Sequence, residues 1–503
     1  MTQPARSSKA RGTADRSRSG RADRPRRAKG SNRAVRRGEP DLLGRALAEA
    51  LSLRLPADAV LRTFFREHPE LGRRDRADLA DTVFDVLRHR RLYAHFAQAG
   101  DGAIEERLIQ LSRAWRARTA SAGASAGTSA GTSAGTSAGT SAGTSAGTSV
   151  APGRRAPETT RDLATPDWLN RIGAADLNSL PAAVALSLPD WLFEALCERF
   201  GEEEARALGR SLLEPAPLQL RANALKVRRE ALIEQLGAEG IRARAIAAVP
   251  GALEVEGHPA LERSAAFEAG AFEVQDAGSQ LLALLVGARR GQRVIDLCAG
   301  AGGKTLALAA MMNSLGQVFA CDVSTARLQR LRPRLTRSGA TNVQPFAIDS
   351  LADRKLERLA ARAHAVLVDA PCTGTGTLRR NPDLKWRFGP DDLLRLCDEQ
   401  RAILSAAARL VAPDGVLVYA TCSLLAAENE EQAQWFEASH PEFQREDAAA
   451  LLSAAGAVLP ANAFRDRALV CLPHRHGTDA FFGVRWRRVR PESKQGAETP
   501  PSS

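Results

Sequence analysis

The 503-residue chain has no apolar run near the roughly 20 residues that a membrane helix needs, so nothing in it reads as a transmembrane segment. It also lacks any C-x-x-C pair. Its seven cysteines, at 197, 298, 321, 372, 397, 422 and 471, are scattered and odd in number. That spacing argues against zinc or any other metal site and against a disulfide framework, and a reducing cytoplasm fits it best. No apolar stretch follows the Arg-rich N-terminus, so a secretory signal is not expected. A transit peptide would share the Arg and Ser content but should carry more amphipathic apolar character.

What is present is ordinary in bulk and uneven in detail. The hydrophobic fraction is 44% and the charged fraction 25%, with room for two or three domains. The net charge is +12, and residues 1–37, with 13 Lys or Arg against 2 Asp, hold +11 of it. Such a tail suits RNA phosphates, although a disordered solubilising tail would look the same.

The expected organisation has six parts. Residues 1–38 form a disordered basic tail. Residues 39–118 form a small helical domain, with three- and four-residue apolar spacing in LLGRALAEALSLRL and DRADLADTVFDVLRHRRLYAHF. Residues 119–165 form a flexible linker, where SAGA and then six SAGT units leave nothing to bury. Residues 166–285 form a compact α+β module. Residues 286–490 alternate strands (RVIDLCA, QVFACD, VQPFAI, AVLVDA, GVLVYA) with helices, which implies an α/β fold around a mostly parallel sheet. Residues 491–503 form a second disordered tail.

In such sheets ligands bind at the carboxyl ends of the strands. The first strand runs into Cys298, Ala299, Gly300, Ala301, Gly302, Gly303 and Lys304. This loop is neither G-x-G-x-x-G nor a P-loop, whose two glycines stand farther apart, so triphosphate binding is disfavoured. The second strand ends in Asp322, 19 residues after Gly303, about where an acid meets a ribose hydroxyl pair. The third ends in Asp349, where a carboxylate can accept from an adenine amino group. Each acid alone could be an ordinary polar strand end; in succession they point to a nucleoside cofactor.

The next two strands end in Asp369-Ala370-Pro371-Cys372-Thr373-Gly374 and Tyr419-Ala420-Thr421-Cys422-Ser423, so two thiols can face one pocket. A thiolate adding to carbon 6 of cytosine makes carbon 5 nucleophilic enough to accept a methyl group. Asp369, three residues from Cys372, is placed to stabilise the adduct through N3 if it carries a proton.

DLCAGAGGKT, VDAPCTGTGTLRRNPDLKW and YATCSLLAAENE together resemble the Nop/Sun-type RNA cytosine-5 methyltransferases, most of all the branch of the bacterial small-subunit ribosomal RNA methyltransferase B. SLPDWL, LRANALK, FEVQDAGSQ and TDAFF agree, and the resemblance covers about residues 185–488. It implies a class I, Rossmann-like methyltransferase sheet, an RNA-binding module before it and a NusB-like helical domain, carried chiefly by TVFDVLRHRRLY. It implies S-adenosyl-L-methionine as co-substrate, contacted by residues 298–304, Asp322, Arg327, Asp349 and Asp369. It makes Cys422 the nucleophile and Cys372 the aid to product release, with Lys304 near both cofactor and base. Arg221 and Asn223 would touch RNA, with small-subunit ribosomal RNA the expected partner, and the protein would be a cytoplasmic monomer. The sequence departs from the family pattern at Gly300-Ala301, where Ala-Pro is common, at Ala480, where glycine is common, and in a helical domain that looks shortened by the repeat. A catalytically silent RNA-binding assembly factor should have lost a cysteine or a cofactor acid, and none is lost. A DNA cytosine methyltransferase would use the Pro-Cys motif without the Thr-Cys one.

Overall fold

Alternate residues of the central strands feed two different cores, as the two-residue period of a strand requires. In the computed structural model, which describes residues 42–128 and 167–490, Ile295, Val366, Val368, Leu417 and Tyr419 belong to one apolar cluster. Their neighbours Val294, Ala365, Leu367, Val416, Val418 and Ala420 belong to another. A sheet covered on both faces reads as nearly continuous hydrophobic runs, and each fully buried Val or Leu adds roughly 1.5–3 kcal/mol.

The strands of this sheet are β5 (Arg293–Asp296), β6 (Gln317–Asp322), β7 (Val343–Ala347), β8 (Ala363–Asp369), β9 (Val411–Thr421), β10 (Phe443–Arg445), β11 (Phe464–Arg465), β12 (Ala468–Cys471) and β13 (Phe481–Arg488). They follow β1 (Leu218–Ala222), β2 (Ala243–Ala245), β3 (Ala252–Val255) and β4 (Phe272–Val274), which form a separate antiparallel sheet in the order β2-β3-β1-β4. The large sheet has the order β11-β12-β13-β9-β8-β5-β6-β7, with β10 beside β13. β7, β6, β5, β8 and β9 are parallel, and β13 closes them antiparallel against β9. Strand order reverses at β5, so the crevice beyond the carboxyl ends of β5 and β8 is the expected binding position. This strand order is the one expected from the resemblance to a class I methyltransferase sheet.

The helical region differs from the expected boundaries in three respects. Its pattern over 73–97 is broken at His89 into Arg73–Arg88 and Arg90–Ala97. The helix Ile104–Thr128 runs ten residues past the expected start of the linker, because Ala is the strongest helix former and prolongs a helix already nucleated. The helix Asp167–Ala174, expected in the next module, returns to this one. Ile172 joins the apolar cluster of residues 46–111, and Arg118 donates to the Ile172 carbonyl at 2.7 Å. Both expected tails and most of the SAGT repeat lie outside the described residues.

The module expected over 166–285 is likewise shared out. LPDWLFEALCERFGEEEARALGRSLLE forms two helices, Asp190–Phe200 and Glu202–Leu212, that pack into the core of the large sheet. The helix Ala277–Val286 covers the opposite face. The helical region docks on the segment after Cys372. Trp386 Nε1 and Lys385 Nζ each donate at 2.8 Å to the carbonyls of Leu87 and Arg88, capping the end of Arg73–Arg88. Burial, and then Arg88, hold the Lys385 ammonium well below its ordinary pKa. Among the described residues no helix is long and apolar enough to cross a membrane.

Candidate active site

The loop after β5 wraps a cavity of about 410 Å³, lined by Asp296, Cys298, Ala299, Gly300, Ala301, Gly303, Lys304, Arg327 and Asp369, with Gln275 and Ser279 from the preceding module. Backbone geometry makes the loop possible. Gly302 has φ +84°, and a Cβ there would lie 2.1 Å from Leu331 Cδ1, so any other residue would strain the backbone and displace Leu331. Asp322 holds the loop from β6: Oδ2 accepts from the Gly300 N–H at 2.8 Å and Oδ1 from the Ser324 N–H at 2.7 Å. Arg334 Nη1 donates to the Ala301 carbonyl at 2.6 Å and pairs with Glu273 of β4, tying the small sheet to the loop.

Asp296 forms the floor of this cavity. Thr305 Oγ1 donates to its Oδ2 at 2.7 Å, while its buried Oδ1 has no partner. Burial pushes its carboxyl up to about 7 against that hydrogen bond, helped by Asp369. Burial, with Asp296 and Asp369 adding to it, also pushes the Cys298 thiol up. Lys304 Nζ lies 2.8 Å from Asp369 Oδ2 and 5.7 Å from the Phe481 ring. Burial would lower the Lys304 pKa, but Asp369 and the Cys422 side override it and hold the ammonium above its usual value.

The two motif thiols meet, with Cys372 Sγ 3.5 Å from Cys422 Sγ. That contact and burial push the Cys372 thiol well above its ordinary value. The loops carrying them are interlocked. The Gly376 N–H donates to the Cys422 carbonyl at 2.9 Å and the Ala480 N–H to the Gly376 carbonyl at 3.0 Å. A Cβ on Gly376 would lie 2.3 Å from the Ala480 oxygen, so only glycine allows this crossing. Nearby, Arg380 bridges Asp479 at 2.6 Å and Asp276 at 3.0 Å, and burial with the Asp276 charge raises the Asp479 carboxyl to about 6.

The structure therefore brings together residues 298–301, Gly303, Lys304, Arg327 and Asp369 around the cavity, and the two cysteines with each other, linked to it through the Lys304–Cys422 interaction. Asp349 is not brought in. It is exposed, its N–H donates to Asp353 at 3.0 Å, and it is absent from the cavity lining. Asp322 holds the loop from behind without lining the cavity. Arg221 and Asn223 correct the RNA-contact expectation. Asn223 is 4% exposed, and its Nδ2 donates to the Gly270 and Ser338 carbonyls at 2.9 and 2.8 Å. Arg221 is 8% exposed, donates from Nε to Gln275 at 2.6 Å, and is lowered by burial to about 10. Asn223 ties its module to Ser338 at the end of the helix after β6, while Arg221 is held within its own module by Gln275. Sequence reasoning missed Asp296, Gln275, Ser279 and Glu428. DLCAGAGGKT opens on Asp296, FEVQDAGSQ holds Gln275 and Ser279, and YATCSLLAAENE holds Glu428, but nothing in these motifs singles out the four.

A family model described as the 16S rRNA methyltransferase RsmB/F matches residues 283–487, and one for the RsmF/B-like ferredoxin-like domain matches 188–262. The ribosomal RNA small subunit methyltransferase B of Thermus thermophilus is 35% identical over 315 residues, 62% of this chain and 68% of that one. The chain belongs to the RsmB/F family. A probable small subunit methyltransferase B of Synechocystis is 35% identical over 59% of this chain. The match spans 66% of that relative, just under two thirds of its length. A solved methyltransferase homologue from Pyrococcus horikoshii, 25% identical, superposes with a TM-score of 0.52 over 63% of this chain and all of its own.

Proposed function

We propose that this RsmB/F-family chain methylates carbon 5 of a cytosine in RNA, specifically 16S ribosomal RNA, in the cytoplasm and as a monomer. The observation that carries the reading is the pair of thiols 3.5 Å apart, set at the ends of β8 and β9 beside the cavity of the β5 loop.

The cavity suits S-adenosyl-L-methionine. It has the size of a small-molecule site, it is walled by backbone and short side chains, and it keeps one buried carboxyl oxygen of Asp296 free for a polar ligand atom. When bound, the cofactor supplies an electrophilic methyl group. Residues 298–304, with Arg327, would hold it, and Asp322 would act by fixing the loop. The target base must leave its stack to reach the thiols. Cys422, as thiolate, adds to carbon 6 and makes carbon 5 electron-rich. Asp369 faces the N3 edge, and Lys304, held charged beside it, is a fixed proton donor at the same place. After methylation the carbon-5 proton leaves, the carbon–sulfur bond breaks, and Cys372 assists release.

The test is to incubate the protein with the cofactor and unmodified 16S RNA, with DNA of the same sequence in parallel, and to digest both for mass spectrometry. 5-Methylcytosine in RNA alone is expected. Modified DNA would overturn the substrate class, and a silent protein that still binds RNA would favour an assembly role.

A further inference from the structure

Each of the two thiols is followed by a hydroxyl, Thr373 after Cys372 and Ser423 after Cys422, and both hydroxyls meet the same carboxylate. Thr373 Oγ1 and Ser423 Oγ each donate to Glu428 Oε2 at 2.5 Å. Oε1 accepts from the Thr373 N–H at 2.8 Å and from Gln400 Nε2 at 3.1 Å. Glu428 is itself fixed, since Tyr419 donates to its carbonyl at 2.7 Å and Asn429 Nδ2 to the Ser423 carbonyl at 2.9 Å. The side chain is fully buried, and its four donors are all neutral. An apolar residue would fill the same space without the cost of burying a carboxyl group. A group retained at that cost, satisfied at both oxygens, specifies a geometry.

We infer that Glu428 is a positioning residue that clamps the Cys372 loop to the Cys422 loop, and so sets the handover from covalent adduct to product release. It lies behind the thiols and needs no contact with RNA or cofactor. The inference rests on the proposed two-cysteine reaction, with one measurement independent of it.

Glu428→Ala should lower kcat by about tenfold or more while leaving KM and the affinity for S-adenosylhomocysteine within about twofold. It should also accumulate protein–RNA adduct with both cysteines present. Glu428→Gln should recover most of the turnover, because the two hydroxyls can turn to accept from the amide. Should Glu428→Ala fail to fold, Thr373→Val and Ser423→Ala each remove one arm of the clamp and should show the same adduct build-up. Normal turnover without adduct in these variants overturns the inference. So does a Gln variant as inactive as the Ala one, or a parallel loss of cofactor affinity. The RNA-free measurement uses diamide, which takes two protons and two electrons from the thiols to leave a Cys372–Cys422 disulfide and a hydrazine. Peptide mass mapping should find that bond forming about tenfold more slowly in Glu428→Ala. Equal rates overturn the clamp even if the unmutated protein methylates nothing.

Discussion

The two halves of the site stand at the ends of neighbouring strands yet are built in opposite ways. The cofactor half is an open cavity whose loop is shaped by glycine backbone and held by carboxylates accepting main-chain N–H groups, as Asp322 does for Gly300 and Ser324. The cysteine half is held by side chains. Its loops are joined by buried side chains converging on Glu428 and by the crossing at Gly376. A half that must admit and release a small molecule each turnover gains from a backbone cradle. A half that must keep two sulfur atoms in register gains from a rigid network. Lys304 and Asp369 stand where the halves meet.

That contrast can be broken at its seam. Lys304→Ala removes the ammonium beside Asp369, and methyl transfer should fall by roughly 10²–10³-fold in single-turnover assays, with Cys422 adduct formation slowed in parallel. Unchanged adduct formation would confine Lys304 to the cofactor half. Gly302→Ala strikes the cradle alone. The left-handed backbone and the Leu331 clash should cost about 2–3 kcal/mol in denaturant unfolding, with cofactor affinity lost before thiol reactivity. Asn223→Ala leaves two buried carbonyls unpaired, and should cost about 1–3 kcal/mol of stability while RNA affinity per folded molecule stays unchanged. A selective loss of RNA binding would instead restore Asn223 to the RNA surface.

The last effect concerns pH. Asp296 has a folded-state pKa of about 7, above the roughly 3.9 of an unfolded aspartate. The folded protein therefore binds the extra proton between those values, and this group's contribution to stability falls as pH rises from about 4 to 7. Asp296→Asn should flatten that part of the melting-temperature profile, and an unaltered slope would remove Asp296 as its source.

Much of the site was readable in the chain because sequence-local rules govern it. Apolar runs of strand length placed β5 to β9, and the residues following each run fell at the same sheet edge. Hence the glycine loop, Asp322, Asp369 and both cysteines were visible. Asp349 obeyed the same rule yet points to solvent, because a strand end fixes position along the sheet and not the side chain's direction. Glu428 and Asp296 were hidden for a different reason. Their roles depend on partners up to 55 residues away in the chain, and no period or spacing records a contact of that range. Arg221 and Asn223 were expected at the RNA only because the resemblance gives that role to their module, and no local pattern records that both side chains are buried. The helix 167–174 escaped because its partners lie across the SAGT repeat, and packing across an insertion leaves no local signal.

The central claim is the division of labour between the two thiols, and the most direct measurement is a denaturing gel of Cys372→Ala mixed with cofactor and unmodified 16S RNA. The account predicts a protein–RNA adduct that survives denaturation and vanishes in Cys372→Ala/Cys422→Ala. An adduct that persists without Cys422, or none at all while the unmutated protein makes 5-methylcytosine in that RNA, would contradict it.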